Sequence, residues 1–271
     1  MQVKNTVFIG KVLLHFDRLP STNAYAQELL SKSRPSEGTV ILADYQSAGR
    51  GQIGSTWEVS PGKNLTFSLI LSPGFLPAPQ QFVLSQAVSL AIRDFLSTLC
   101  PKSVYVKWPN DIYIEEKKVC GILIQNSLSG KKIQNSIIGI GLNVNQEHFP
   151  KGLDNASSLA LETGKTFDLP DLFSSLLQHL EQRYQQLRSG KLSQIQQDYL
   201  KHLFLYQKEA MYCEPGGSPF TGKIVNVNTR GQLGIARQTE ITYYNIKEIK
   251  YLGVKNKKAD RIDPADPLNR L

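Results

Sequence analysis

Apolar residues recur along this chain with two periods, and the change from one to the other sets out its elements. Between 80 and 99 the positions Val83, Leu84, Ala87, Val88, Ala91, Ile92, Phe95 and Leu96 repeat at three-four spacing, which predicts a long helix with one face on a core. A shorter helix is expected from 21 to 31. Pro20-Ser-Thr-Asn23 opens it, Ser21 or Thr22 serves as the N-cap, and Tyr25, Ala26, Leu29 and Leu30 form its apolar face. The stretches 169–189 and 193–203 read as two further helices. Runs rich in branched and aromatic residues predict strands at 11–16, 38–43, 64–71, 103–107, 111–114, 119–125 and 134–143. Trp108-Pro-Asn110 and the runs 115–118 and 129–132 separate the later strands as hairpin-like turns, so the sheet is expected to be mixed and largely antiparallel. Helices covering such a sheet make an α+β domain.

From 207 the pattern changes. Five short strand-like runs, 209–214, 222–228, 232–237, 240–245 and 247–252, are broken by Pro215-Gly-Gly217 and Thr229-Arg-Gly231, which predicts a small closed barrel. The expected organisation is a larger domain over 1–205, the barrel over 206–254, and a basic tail over 255–271 whose composition suits disorder.

Composition narrows the function classes. The 271 residues are 41% hydrophobic, ordinary for a globular protein, and no uninterrupted apolar run reaches the ~18 to 20 residues of a membrane span. The first residues lack the apolar block of a signal peptide, so a cytoplasmic location without membrane attachment is expected. Cys100, Cys120 and Cys213 are odd in number and far apart, and His15, His148, His179 and His202 are equally scattered. Neither a disulfide framework, nor a zinc site, nor a histidine-centred triad is indicated. The net charge of +8 lies partly in the tail and is weak support for a nucleic-acid partner.

Two stretches carry candidate chemistry. In Gln46-Ser-Ala-Gly-Arg-Gly-Gln-Ile-Gly-Ser-Thr-Trp57, closely spaced glycines around Arg50 suit an anion. The spacing of Gly49, Gly51 and Gly54 matches a dinucleotide fingerprint, but a turn and a strand follow where that motif needs a helix. A phosphate-binding P-loop fails as well, because Ser55-Thr56 stand where a lysine is required. The plain alternative is a mobile loop joining two strands. The second stretch is Lys107-Trp-Pro-Asn-Asp111 with Lys118, two lysines, an amide and a carboxylate near adjacent hairpin ends. These groups could neutralise charge developing on a phosphoryl or acyl oxygen, or form only a solvated turn. Ser21, Thr22 and Asn23 offer donors and acceptors to a neutral polar ligand, and Gly139-Ile-Gly-Leu-Asn143 lets a ligand approach a strand and ends in an amide.

Taken together, Ser21-Thr-Asn23, Gln46 with Gly49-Arg-Gly51 and Trp57, Lys107-Trp-Pro-Asn-Asp111, Lys118 with Gly121-Ile-Leu123, and Gly139-Ile-Gly-Leu-Asn143 resemble the successive motifs of biotin protein ligases. The resemblance covers about residues 11 to 145 in order and spacing, and more weakly the C-terminal segment as the family's SH3-like barrel. It implies a sheet-and-helix catalytic domain like those of class II aminoacyl-tRNA synthetases. It further implies a two-step reaction: biotin and Mg-ATP give biotinyl-5′-AMP, and a lysine of a biotin carboxyl carrier protein then takes the biotinyl group. By this resemblance Ser21, Thr22, Asn23, Gln46, Gly49, Arg50, Gly51, Gln52, Lys118, Gly121, Gly139 and Leu142 serve biotin. Arg50, Trp57, Lys107, Asn110, Asp111, Lys118 and Asn143 serve ATP or the adenylate. Lys118 and Arg50 carry the catalytic charge, and Asp111 helps position Mg2+. Gln52 and Ser55 stand where members often have arginines, and Gln125 where an acidic residue is common.

A lipoate or octanoyl ligase of the same fold is the competing enzyme reading, and the polar set Ser21, Thr22, Asn23 and Gln46 argues against its apolar acyl chain. A biotin-responsive DNA-binding regulator is the other. About 20 residues precede Ser21 and part of them read as a strand, so a helical DNA-binding module is not expected and the reading is of a monofunctional ligase, monomer or homodimer.

Overall fold

The computed structural model describes residues 3–52 and 55–253; the tail 255–271 and the tip of the glycine loop, Ile53 and Gly54, lie outside them. The chain divides into two compact units, Met1–Phe204 with Thr229–Gly231, and Leu205–Asn228 with Gln232–Leu271.

In the first unit the elements run β1 (Leu13–Leu19), α1 (Thr22–Lys32), β2 (Val40–Gln46), β3 (Leu65–Leu71), α2 (Phe82–Leu99), β4 (Val104–Lys107), β5 (Asp111–Ile114), β6 (Lys117–Ser129), β7 (Lys132–Leu142), α3 (Leu159–Thr163), α4 (Leu169–Arg188) and α5 (Leu192–Lys201). Its described strands form one sheet in the order β1-β2-β3-β7-β6-β5-β4. Only the β1–β2 pair in that order is parallel, joined across α1, so the sheet is mixed and largely antiparallel as the turns predict.

Every residue of β3 is buried, because both of its faces are covered. Alternation along the strand assigns the faces. Phe67 meets Phe173 of α4 edge-on at 5.2 Å, while Ile70 joins Ile41, Ile137 and Ala26 beneath α1. Ser68, two residues from Ile70, therefore looks toward α1. The segment Ala78–Leu99 is apolar enough in average composition to cross a membrane, which a search for uninterrupted apolar runs does not register. Its Leu84, Ile92, Phe95 and Leu96 are fully buried in the core, where the three-four spacing places them, and Leu90, outside that spacing, is buried as well.

Two differences from the sequence reading have local causes. The five-residue α3 is too short to show periodicity; Ser158 caps it by accepting from Leu161 N, and Gly164 ends it at φ 70°. Strands β6 and β7 run on past the apolar stretch as a polar two-stranded arm, pairing Ser127 with Asn135 and Ser129 with Lys132.

The second unit holds β8 (Glu209–Cys213), β9 (Phe220–Val227), β10 (Leu233–Arg237), β11 (Glu240–Tyr244) and β12 (Lys250–Gly253) in one antiparallel sheet ordered β11-β10-β9-β8-β12. All five runs predicted as strands contain a strand. Among the described residues no pairing joins β11 to β12, so the expected closed barrel is here an open five-stranded sheet of the kind an SH3-like domain contains.

Candidate active site

The helix-opening sequence Pro20-Ser-Thr-Asn23 builds the first part of the site. Ser21 caps α1 by accepting from Ala24 N at 3.4 Å, so the bland reading of this serine holds alongside any ligand role. Thr22 and Asn23 are buried and sit in a polar row. Gln46 Oε1 accepts from Thr22 N at 2.6 Å and lies 3.0 Å from Thr22 Oγ1. Ser68 Oγ lies 2.8 Å from Thr22 Oγ1 and 2.6 Å from Asn23 Oδ1. Asn23 Nδ2 donates to Gln125 Oε1 at 3.0 Å and Leu123 O at 3.4 Å. Ser68 is missing from the sequence-based set because a serine inside a strand of buried apolar residues gives no signal of its own.

The floor beside this row is made of glycines, and each admits a particular neighbour. A Cβ on Gly139 would collide with the Asn23 amide, and one on Gly141 would fall inside the Trp57 indole. Gly121, paired in register with Gly141, would bring its Cβ to 3.0 Å from Trp57 Cζ3. The close approach read from these glycines is made first by the protein itself. Trp57 reaches the floor because the glycine loop turns back as a hairpin. Trp57 N donates to Gly49 O at 3.0 Å, Gly51 N to Ser55 O at 2.9 Å, and Ser55 N to Gln52 O at 2.8 Å. Gly49 lacks a Cβ where the Trp57 carbonyl passes, Arg50 is exposed, and the Gln52 side chain is half-buried. Among the described residues the buried Trp57 Nε1–H has no hydrogen-bond partner.

Charge gathers at the far end of the same floor. Lys118 Nζ lies 2.7 Å from Asp111 Oδ1 and 5.8 Å above the Trp57 ring. In a regular strand residues three apart point to opposite faces, which would take Lys118 away from Gly121. The register shifts between Ile112 and Tyr113, pairing Ile112 with Cys120 and Tyr113 with Lys118, so Val119 is the extra residue of a bulge. That bulge turns Lys118 onto the floor side, where its Cε lies 3.6 Å from the position a Gly121 Cβ would take. The segment after β7 then holds the lysine backbone from outside: Lys118 N donates to Asn155 O at 2.7 Å and Ser157 N to Lys118 O at 2.8 Å. Lys107, across the hairpin from Asp111, donates to Tyr113 Oη at 3.1 Å, and Asn155 Nδ2 donates to the same oxygen at 3.0 Å. Tyr113 and Asn155 were not legible as site residues, since a tyrosine in a strand and an asparagine in a loop are commonplace. Burial lowers the Lys107 ammonium from the usual lysine range, with the charge of Lys118 adding to the effect and that of Asp111 opposing it. Burial likewise raises the Asp111 carboxyl, against the pull of Lys118 and Lys107.

Three of the expected site residues have contacts within the protein. Asn110 Nδ2 donates to Ile122 O at 2.6 Å and Ile122 N to Asn110 O at 2.9 Å, so its amide locks the turn onto β6 instead of facing a ligand. Leu142 is fully buried and, by alternation from Gly139 and Gly141, points to the opposite face of the sheet. Asp111, expected to help position Mg2+, has its Oδ1 2.7 Å from Lys118 Nζ, and no group of three His, Cys, Asp or Glu converges among the described residues. Asn143 Nδ2 donates to Ser157 O at 2.9 Å, and its buried Oδ1 has no partner among the described residues, leaving an acceptor for a ligand amino group.

Residues 15–143, which contain this arrangement, match the biotin/lipoate A/B protein ligase family. The bifunctional ligase/repressor BirA of Bacillus subtilis (strain 168) is 34% identical over 242 residues, covering 84% of this chain and 70% of the relative. The chain belongs to the biotin/lipoate A/B protein ligase family. A second family member, the biotin–[acetyl-CoA-carboxylase] ligase of Paracoccus denitrificans, is 36% identical over 176 residues, 62% of this chain and 70% of that protein. Among solved structures of the family, the biotin protein ligase of Aquifex aeolicus in complex with biotin and ATP superposes with a TM-score of 0.73 at 28% identity, covering 90% of this chain and 99% of that one.

Proposed function

We propose that this chain activates biotin with ATP and transfers the biotinyl group to a lysine of a biotin carboxyl carrier protein. The observation that carries the reading is one continuous floor with a neutral polar row at one end and Lys118, Lys107 and Asp111 at the other. Biotin has that shape of demand: a neutral ureido ring that donates and accepts hydrogen bonds, and a carboxylate that must meet a phosphate. In the first step a biotin carboxylate oxygen attacks the α-phosphorus of ATP, the bond to pyrophosphate breaks, and the mixed anhydride forms. In the second a carrier lysine attacks the acyl carbon and AMP leaves. Lys118 neutralises charge on the phosphoryl oxygens and then on the acyl oxygen, with Arg50 closing from the loop. Trp57 walls the floor, Asn143 Oδ1 accepts from the adenine amino group, and Asp111 steadies Lys118. No step is assigned to a protein-bound metal; ATP ordinarily brings Mg2+ on its own phosphates. We assign catalysis to the first unit and the SH3-like part to the second.

Incubation with biotin, ATP, Mg2+ and a carrier domain should add one biotinyl group to a single carrier lysine. Transfer of lipoate in place of biotin would overturn the reading. Two further outcomes follow from the geometry. Because burial lowers the Lys107 ammonium, its charge is lost as pH rises through a value below that of an exposed lysine, so KM for ATP should climb at alkaline pH. Lys107→Arg, always protonated, should move that rise to higher pH; an unmoved profile would show that Lys107 does not serve ATP. Arg50 is exposed on a short hairpin, and trypsin needs that hairpin to open. Saturating biotin should slow cleavage after Arg50, and equal rates with and without biotin would mean that the loop gains nothing from the ligand.

A further inference from the structure

The Tyr113 hydroxyl carries a proton that no described residue accepts. Lys107 Nζ donates to Tyr113 Oη at 3.1 Å, and Asn155 Nδ2 donates to the same oxygen at 3.0 Å. A phenolic oxygen has two lone pairs and one proton, so both lone pairs are taken and the O–H points elsewhere. The carboxylate on the same face, Asp111, is engaged by Lys118. Tyr113 is only 3% exposed. Burial raises its hydroxyl above the usual tyrosine range, the charge of Asp111 adds to this and the bond from Asn155 opposes it, so the group stays a donor. A buried donor without an acceptor is uncommon enough to mark a ligand contact. Sheet order indicates which ligand group arrives there. Lys107 pairs with Asp111, Asp111 with Gly121 and Tyr113 with Lys118, so all of them stand on the floor side. Outward from the polar row on β3 the strands run β7, β6, β5, β4. Lys118 on β6 is therefore followed by Tyr113 on β5 and Lys107 on β4. With the biotin carboxylate arriving from the polar-row side, an in-line displacement at the α-phosphorus sends pyrophosphate out on the opposite side, toward β5 and β4.

We infer that Tyr113 donates a hydrogen bond to the pyrophosphate part of ATP, beside Lys107. The inference rests on the proposed adenylation and deepens it. As the bond from the α-phosphorus breaks, its electron pair stays on the leaving oxygen, and the hydroxyl stabilises the pyrophosphate charge while keeping its own proton. Asn155 aims that hydroxyl from an exposed loop. Its Nδ2 fills one lone pair of Tyr113 Oη, and its carbonyl is anchored by Lys118 N at 2.7 Å.

Pyrophosphate itself is the probe, in the reverse reaction that makes ATP from biotinyl-AMP. Tyr113→Phe keeps the ring that packs against Phe204 and removes only the hydroxyl. It should raise KM about tenfold for pyrophosphate, and for ATP in the forward direction. Transfer from supplied biotinyl-AMP to the carrier, a step without pyrophosphate, should stay within about twofold. An unchanged KM for pyrophosphate overturns the inference, and so does an equal slowing of the transfer step, which marks a structural role. A double-mutant cycle with Lys107→Ala separates direct contact from action through the lysine. In that background Tyr113→Phe should still raise KM for pyrophosphate severalfold, and no further rise overturns the inference. If Tyr113→Phe does not fold, Asn155→Asp at the exposed loop position is read in the same way, because its carboxylate accepts the Tyr113 proton. A wild-type chain that forms no biotinyl-AMP overturns the proposed function as well, whereas adenylate formation with no effect at Tyr113 overturns the inference alone.

Discussion

Lys118→Ala is expected to slow biotinyl-AMP formation by about a hundred- to a thousandfold, the cost of losing one group aimed at a developing charge, or about 2.7 to 4 kcal/mol. Biotin affinity should change far less, because the polar row that holds the neutral ring lies at the other end of the floor. The reason for so large an effect is placement. The bulge at Val119 turns this lysine onto the floor, Asp111 holds its ammonium at 2.7 Å, and Asn155 and Ser157 hold its backbone. Alanine leaves Asp111 without that cation, so the carboxyl, already raised by burial, should be protonated more readily. Single-turnover formation of biotinyl-AMP checks the rate and calorimetry the affinity. Near-normal turnover would reduce Lys118 to a charged turn residue.

The second large effect is expected from one methyl group. Gly139→Ala should weaken biotin at least about a hundredfold, because its Cβ would occupy the space of the Asn23 amide. Displacing that amide breaks its contacts with Ser68, Leu123 and Gln125, at about 0.5 to 1.5 kcal/mol each. Gly141→Ala should fail differently. Its Cβ meets the Trp57 indole, so the loop is pushed from the floor and the adenylate should escape faster, with the polar row left intact. Measuring biotin affinity and the rate of adenylate release for both variants separates the two. The same loss in both would mean that the floor acts as one unit and that the two glycines have no separate partners.

Much of this was legible before any coordinates. Three-four spacing located α2, the opening Pro20-Ser-Thr-Asn23 and the apolar face behind it located α1, branched runs located the strands, and the motifs around Ser21, Gly49, Lys107, Lys118 and Gly139 announced a biotin ligase in their order. Short periodicity hid α3, and the polar arm of β6 and β7 escaped because its strand character comes from pairing. For Asn110 and Leu142 the sequence motif contains the right segment, but only backbone geometry says which way each side chain turns. The family resemblance gave Asp111 a share in positioning Mg2+, and only the structure shows that its carboxylate also holds Lys118.

The sequence by itself determined the family, the reaction class and the segments that carry them, since local periodicity and motif spacing are properties of the chain. Tertiary structure decided the aim of the site's side chains. A single bulge puts Lys118 on the same side as Gly121, which regular alternation would forbid. Distant strands bring Ser68 to Thr22 and Asn23, because contacts between segments far apart in the chain belong to the fold and not to the order of residues.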